Sequence, residues 1–450
     1  MPVNSQSLSS QSHQPSDRRA LLIQLTALFI FALLLRILYL KLAIDHLGFE
    51  RFSLYAPDSR LYLLIGEHIL SFHEQGSYGL YRVGPGYGLI LAGIKLLFGS
   101  HLIGPILFNI VMGSLAPVFV YLLATQLFGS KSIALLSGAI STVSLTAVAA
   151  GCHILTDQPF FTFHIAALVC FVQGYNSGRR RWFLAAGLIA GFAAYIRPIG
   201  LVWPYIFIFL ALVIPVSKSF SSRFDLVCKA GITGAVLLLI IWSWSARNYF
   251  MHGNFIYCTN GMLTVRSCLI AQVAQNTWNE GKNVIDYRTQ WESEDGDRTA
   301  QFAGAYGKAE ERVWHELKKN PQAVLHFYWS NLIENMSAPN YYVLGQIPQL
   351  KSFMSGLNII MAKWLGVLLI ILTLLGLALM RFLGHRLAFW VLGSTYFAFS
   401  AFLGASFWQG SRLHYPAEMA WSIVLAFGVV WAATTLKSLI RIKPVVVDGR

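Results

Sequence analysis

The chain has 450 residues, 56% of them apolar or aromatic and only 12% charged, about half the charged share of an ordinary soluble domain. A mean hydropathy of +0.56 excludes disordered and fibrous classes, and a water-soluble fold of this size cannot hide so much apolar surface. The net charge of +14 reads first as a membrane-sidedness signal, and no nucleic-acid partner is expected.

In chain order, residues 1–19 form a polar tail that ends in Arg18-Arg19. The apolar run from Leu21 to Leu40 is too long for a signal-peptide core, and no small-x-small cleavage site follows it, so it reads as an uncleaved first span. Arg36 and Lys41, toward the end of that run, are expected to snorkel to the interface. A bilayer core about 30 Å thick needs roughly 20 apolar helical residues. Runs of that kind predict ten spans, near 20–43, 102–127, 132–150, 159–175, 182–197, 199–216, 229–245, 357–380, 387–405 and 416–436. Gly86–Phe98 is too short to cross and reads as a re-entrant or interfacial helix. Within 246–356, the stretch Thr299–Met336 has helical spacing with a break at Asn320-Pro321, and is expected to lie against the membrane surface or cap the bundle.

The positive-inside rule orients this arrangement. With Arg18 and Arg19 in the cytoplasm, the cytoplasmic pieces hold fifteen Lys/Arg and only three acids, Asp17, Asp225 and Asp448. The domain reading follows: a cytoplasmic tail at 1–19, and a catalytic transmembrane region at 20–245 with outer loops 44–101 and 151–158. Then come a largely helical outer-face region at 246–356, C-terminal spans within 357–436 and a cytoplasmic tail at 437–450.

Charge at a membrane boundary is expensive and marks candidate sites. Asp58, in Tyr55-Ala-Pro-Asp-Ser-Arg-Leu-Tyr62, fits either a helix cap or a catalytic acid. Asp157, in His153-Ile-Leu-Thr-Asp-Gln-Pro159, has the same two readings, with Pro159 at the first helical position. Arg82 precedes the small-residue turn Val83-Gly-Pro-Gly-Tyr87. Arg197, Arg247 and Arg412 each sit at the outer end of a span, and four arginines on one face suit a lipid-linked phosphate. His153, His252 and His414 lack the spacing of a metal motif. Five cysteines form no framework, although Cys258 and Cys268 could pair. No Walker, GxGxxG or GxSxG loop is present, so no nucleotide-driven site is visible.

Taken in order, these motifs resemble the integral-membrane GT-C glycosyltransferases, especially bacterial enzymes similar to protein O-mannosyltransferases and the lipid A aminoarabinose transferase. The resemblance rests on Asp58 with Tyr62 and Gly66, Arg82-Val-Gly-Pro-Gly-Tyr87, Asp157, Arg197-Pro198, Trp244-Ser-Ala-Arg-Asn-Tyr249 and Arg412-Leu-His-Tyr-Pro416. It implies an all-α, polytopic, GT-C-like fold in a bacterial inner membrane, with the active site facing the periplasm. It also implies transfer of a sugar from a polyprenyl-phosphate carrier to a hydroxyl on a protein, lipid or glycan acceptor. Asp58 is then the expected base and Asp157 a second catalytic acid in contact with acceptor or sugar. Arg82, Arg412 and Arg247 are the expected phosphate ligands, and Tyr62, Tyr87, Arg197 and Tyr415 the substrate contacts. One base and a single displacement imply inversion. No cofactor is required by any motif. A divalent metal stays open, because Ser59 and Tyr81-Arg82 stand where many relatives carry further acidic or Glu-Lys residues. An oligosaccharide polymerase or ligase and a lipid-carrier flippase remain as alternatives.

Overall fold

A computed structural model of the chain describes residues 15–71, 83–278, 280–294, 302–338, 359–406 and 411–440. Among these, regular structure is helical throughout, with no strand. The principal helices are α1 (Pro15–Leu47), α2 (Pro57–Ser71), α3 (Gly86–Phe98), α4 (Ile103–Phe128) and α5 (Lys131–Val143). They continue with α6 (Asp157–Ser177), α7 (Arg180–Ile196), α8 (Trp203–Val213) and α9 (Arg223–His252). After shorter helices come α10 (Phe302–Lys319), α11 (Pro321–Ser337), α12 (Ile359–Phe382), α13 (Arg386–Ala401) and α14 (Glu418–Ile440).

Six described segments are long and apolar enough to cross a membrane: Arg18–Leu47, Ile103–Phe128, Arg223–Met251, Lys363–Phe382, Arg386–Ala405 and Tyr415–Ile440. The other four expected spans fall on helices that are shorter or more polar. The 132–150 stretch breaks at Ser144, where ψ of 120° ends α5, and a short helix, Leu145–Ala150, follows. The 199–216 stretch is a 3₁₀ turn joined to the 11-residue α8. α6 is long enough but carries Gln158, Thr162, His164 and Gln173 within it. As expected, α3 is a 13-residue apolar helix.

Two hairpins show how the sequence stops a span. Gly129 follows α4 at φ 63° and Gly178 follows α6 at φ 67°, left-handed positions where glycine carries no Cβ penalty. The next helices begin at Lys131 and Arg180, so the basic residues stand at the turns the charge count placed in the cytoplasm.

The core is built around α6, which packs on α4 and α7, while α7 packs in turn on α9. α2 and α3 pack on each other. Small residues make these approaches possible. A Cβ on Gly187 of α7 would lie 2.7 Å from the Thr233 carbonyl oxygen of α9. The Asn320-Pro321 break divides α10 from α11 as the sequence predicts. On α11, Leu325, Trp329 and Ile333 are exposed at four-residue intervals, and Trp364, Leu365 and Leu368 of the neighbouring α12 are exposed as well.

Arg36 departs from expectation. It does not snorkel: its side chain is fully buried, because glycines at 113 and 151 leave room for the guanidinium between α1, α4 and the turn after Ala150.

Candidate active site

The site forms where α2, α6, the α7–α8 turn and the segment before α14 meet. Pro57 and Asp58 open α2, and Asp58 lies in its first turn, where the helix dipole favours a carboxylate. The Asp58 carboxylate accepts a hydrogen bond from Arg412 Nη2 at 3.2 Å, across 354 positions of sequence. Its side chain stays 46% exposed, so one oxygen-bearing face is open to a second molecule.

Asp157 begins α6, and the N-cap residue Thr156 makes no side-chain cap bond. The cap reading of the sequence gives way to an ion-pair role. Asp157 is 1% exposed; it accepts from Arg412 Nη2 at 3.3 Å and from Arg197 Nη1 on its other oxygen. Burial pushes this carboxyl up, but the guanidiniums of Arg197 and Arg412 outweigh that and hold it below the usual carboxylate range. It lies two residues ahead of the apolar stretch 159–175. Arg412 therefore joins a half-exposed carboxylate to a buried one, and is itself only 12% exposed.

Arg197 reaches Asp157 because α7 ends at Ile196 and Pro198 starts a 3₁₀ turn, leaving Arg197 extended at φ −143°. The Val83–Tyr87 turn packs against this point. A Cβ on Gly84 would collide with the Tyr195 carbonyl oxygen and the Tyr257 hydroxyl, and one on Gly86 would lie 2.7 Å from the Tyr195 carbonyl carbon. The turn's glycines thus serve helix packing beside Arg197. Arg82 lies outside the described residues.

Three tyrosines expected to touch substrate stand behind the site instead. Tyr62, 7% exposed, shares a 3.3 Å hydrogen bond with Thr156. Tyr87 is wholly buried edge-on to Tyr62, and its hydroxyl accepts from Asn109 at 3.0 Å. Tyr415 is 1% exposed, donates to Gln158 Oε1 at 2.7 Å and stacks on Phe161. They brace the Asp157 loop and the Arg412 segment. Arg247, expected at the phosphate, lies 4.9 Å over the Trp244 ring and donates to Asn248 at 3.1 Å.

Sequence reasoning missed Asn109 and Gln158, and read Thr156 only as a candidate cap. Asn109 is fully buried in α4 and donates to the carbonyls of His153 and Leu155, fixing the loop that presents Asp157. The available signal was a lone amide inside an apolar span, which is costly unless bonded.

Among the described residues, no three His, Cys, Asp or Glu side chains converge as a metal site. Asp58 and Asp157 share the Arg412 guanidinium between them. Cys258 and Cys268 do not pair with each other.

Comparison with known proteins gives the geometry a context. Residues 82–244 match the sequence profile of the family described as dolichyl-phosphate-mannose-protein mannosyltransferase. An "Uncharacterized protein" of Aquifex aeolicus (strain VF5) is 29% identical over 202 residues, which are 44% of this chain and 39% of that protein. The archaeal oligosaccharyltransferase AglB from Archaeoglobus fulgidus, solved with an inhibitory peptide and a dolichol-phosphate, matches at a TM-score of 0.54 and 16% identity. That match covers 95% of this chain and 52% of AglB. The Archaeoglobus fulgidus oligosaccharyltransferase tethered to an acceptor peptide with the NVT sequon matches at 0.55 and 17%, over 94% and 51%. The chain thus spans about half the length of these solved relatives, and at such identities the likeness is one of fold. Residues 82–244 are similar to the dolichyl-phosphate-mannose-protein mannosyltransferase family, and the helical fold as a whole is similar to that of the Archaeoglobus fulgidus oligosaccharyltransferase.

Proposed function

We propose that this chain is a membrane glycosyltransferase that moves a sugar from a polyprenyl-phosphate carrier to an acceptor hydroxyl at the outer face of a bacterial inner membrane. The observation that carries this reading is the Asp58–Arg412–Asp157–Arg197 array at one end of the helical bundle. Asp157 holds two guanidiniums in place from a buried position. Asp58 keeps an exposed face toward an incoming acceptor.

The chemistry follows from these parts. The acceptor hydroxyl attacks the anomeric carbon as its proton passes to a carboxylate oxygen of Asp58. The bond from that carbon to the phosphate oxygen breaks on the opposite side of the sugar, which inverts the anomeric centre. General-base assistance of this kind contributes about 10²–10⁴-fold. The departing phosphate gains negative charge, and Arg412 and Arg197 are placed to stabilise it in a partly dehydrated site. Arg82, next to the Val83–Tyr87 turn in sequence, is a further candidate phosphate ligand. Asp157, with both oxygens engaged by arginine, acts as the fixed counter-ion rather than as a sugar contact.

The test is direct. Purified chain in lipid nanodiscs is incubated with a radiolabelled polyprenyl-phosphate monosaccharide and cell-envelope acceptor fractions. Label leaving the lipid for an acceptor supports transfer. Label crossing sealed vesicles while still on its lipid supports a flippase, and label growing into a lipid-linked polymer supports a polymerase.

A further inference from the structure

α11 carries its polarity the wrong way round for a helix packed on a protein core. Leu325, Trp329 and Ile333 are exposed, whereas Asn331 and Asn335 are 4% and 0% exposed. Asparagine is a poor residue for a helix interior, and a buried amide is costly unless it is bonded. Standing four positions apart, the two amides share one face of α11. Their partners lie on another segment.

That segment is the chain leaving α13. After Ala401 it passes through a 3₁₀ turn, Phe402–Ala405, to Ser406, which is extended at φ −132°. The last carbonyls of a helix lack partners within the helix, and α11 supplies donors along the turn. The Tyr328 hydroxyl donates to the Ala401 carbonyl. The Asn331 amide donates to the Gly404 carbonyl at 3.3 Å. The Asn335 amide donates to the carbonyls of Leu403 at 2.9 Å and Ser406 at 2.7 Å. Gly404 permits the approach, since a Cβ there would lie 2.4 Å from the Tyr328 ring. Two further bonds tie the turn to the 246–356 region: Asn331 Nδ2 donates to Gln272 Oε1 at 2.7 Å, and the Ser406 hydroxyl donates to Cys268 Sγ at 3.8 Å.

The short helix Ser411–His414, which carries Arg412, packs on α11 as well. Just beyond it, Tyr415 is fixed to Gln158 of α6 at 2.7 Å. Arg412 therefore stands between two anchors, α11 before it and α6 after it, with its guanidinium on Asp58 and Asp157. We infer that Asn331 and Asn335 are positioning residues: they clamp the chain leaving α13 and thereby set where Arg412 meets the phosphate of the donor. The 246–356 region then acts on the site through Arg412. This inference rests on the proposed function in taking a polyprenyl phosphate as the anion.

The test compares Asn335→Leu with Val324→Ala, both on the full chain in lipid nanodiscs. Leucine fills the site of the asparagine but donates to neither carbonyl. Val324 is buried on the same helix at 6% exposure, so its truncation loosens α11 without touching the clamp. Two readouts are taken: hydrogen exchange, which reports local opening, and affinity per folded molecule for undecaprenyl phosphate. Asn335→Leu should speed exchange in peptides spanning 401–416 and leave α4 and α9 at wild-type rates. Its affinity should fall about tenfold or more, because small misplacements of binding groups carry penalties of that order. Val324→Ala should keep its affinity within about twofold of wild type. Unchanged exchange in 401–416, equal acceleration throughout the bundle, or an equal loss of affinity in Val324→Ala overturns the inference, since Asn335 would then only support the fold. If Asn335→Leu does not fold, Asn335→Ser decides: one hydroxyl can donate to only one of the two carbonyls, and wild-type affinity overturns the inference. Wild-type chain that binds no undecaprenyl phosphate instead overturns the proposed function, and the exchange rates then judge the clamp by themselves.

Discussion

Replacing Asp58 and Asp157 by asparagine, one at a time, should produce opposite profiles from the same chemical change. Asp58 is about half exposed and meets Arg412 at 3.2 Å, and an ion pair in so solvated a setting is worth about 0–1 kcal/mol. Asp58→Asn should therefore shift the melting temperature by no more than about 2–4 °C. Its loss should instead appear in transfer. Removing a general base slows the reaction about 10²–10⁴-fold, or about 3–5 kcal/mol of barrier at 1.36 kcal/mol per decade. Asp157 is 1% exposed and faces two guanidiniums that are 12% and 18% exposed. Neutralising it leaves those charges crowded together, and breaking a buried pair costs about 3–5 kcal/mol. Arg412 keeps Asp58 as a partner, which places the expected cost toward the lower end. Thermal unfolding of each variant in nanodiscs, paired with label transfer per folded molecule, measures both effects. Wild-type transfer by folded Asp58→Asn would remove the base assignment, and an Asp157→Asn variant as stable as wild type would remove the buried counter-ion.

Further outcomes follow from other features. The Asp157 carboxyl is held low in the folded chain, so its stabilising contribution is complete above the unfolded value near about 3.9 and fades as the pH falls through the lower folded value. The gap in melting temperature between wild type and Asp157→Asn should stay level from pH 8 to 5 and narrow only in more acidic buffer; a gap that already closes between pH 7 and 5 contradicts this. Gly84→Ala should destabilise the chain by about 1–3 kcal/mol, because the new methyl meets the Tyr195 carbonyl and the Tyr257 hydroxyl. Urea or thermal unfolding measures this, and an unchanged midpoint refutes the close packing. A spin label at Trp329→Cys should report greater access to oxygen than to a water-soluble nickel reagent, since the Leu325–Trp329–Ile333 stripe continues the exposed apolar surface of α12; the reverse preference places that face in water.

Much of this was legible in the sequence, for identifiable reasons. Long apolar runs and the Lys/Arg bias carry the membrane reading because both respond to the bilayer as a solvent and not to tertiary detail. Asp58, Asp157, Arg197 and Arg412 stood out because charge at span ends is costly. Their convergence did not show, since Arg412 meets its partners across 354 and 255 positions of sequence, far beyond any local spacing rule. The same blindness to distant partners turned two ion-paired aspartates into candidate caps. It also made Arg36 a snorkelling residue, because the space opened by Gly113 and Gly151 exists only once three segments are packed. Tyr62, Tyr87 and Tyr415 were read as contacts because an aromatic hydroxyl near an interface suits a ligand and a buried amide equally well. Thr156, Asn109 and Gln158 claimed them.

The unequal burial of the two carboxylates gives the site its logic. A base must meet the acceptor, so it needs exposure, and exposure weakens any electrostatic grip it could exert. A counter-ion that fixes arginines against a departing phosphate needs the reverse: shielding from water, rigid neighbours and no competing ligand. One carboxylate cannot satisfy both demands. On the proposed reading, with Asp58 near the surface, Asp157 sealed at the start of α6 and Arg412 shared between them, the tasks fall to two residues while their positions stay coupled. A change that disturbs Arg412 should therefore be felt in both binding and proton transfer, whereas a change at Asp58 should be felt in proton transfer with folding left nearly intact.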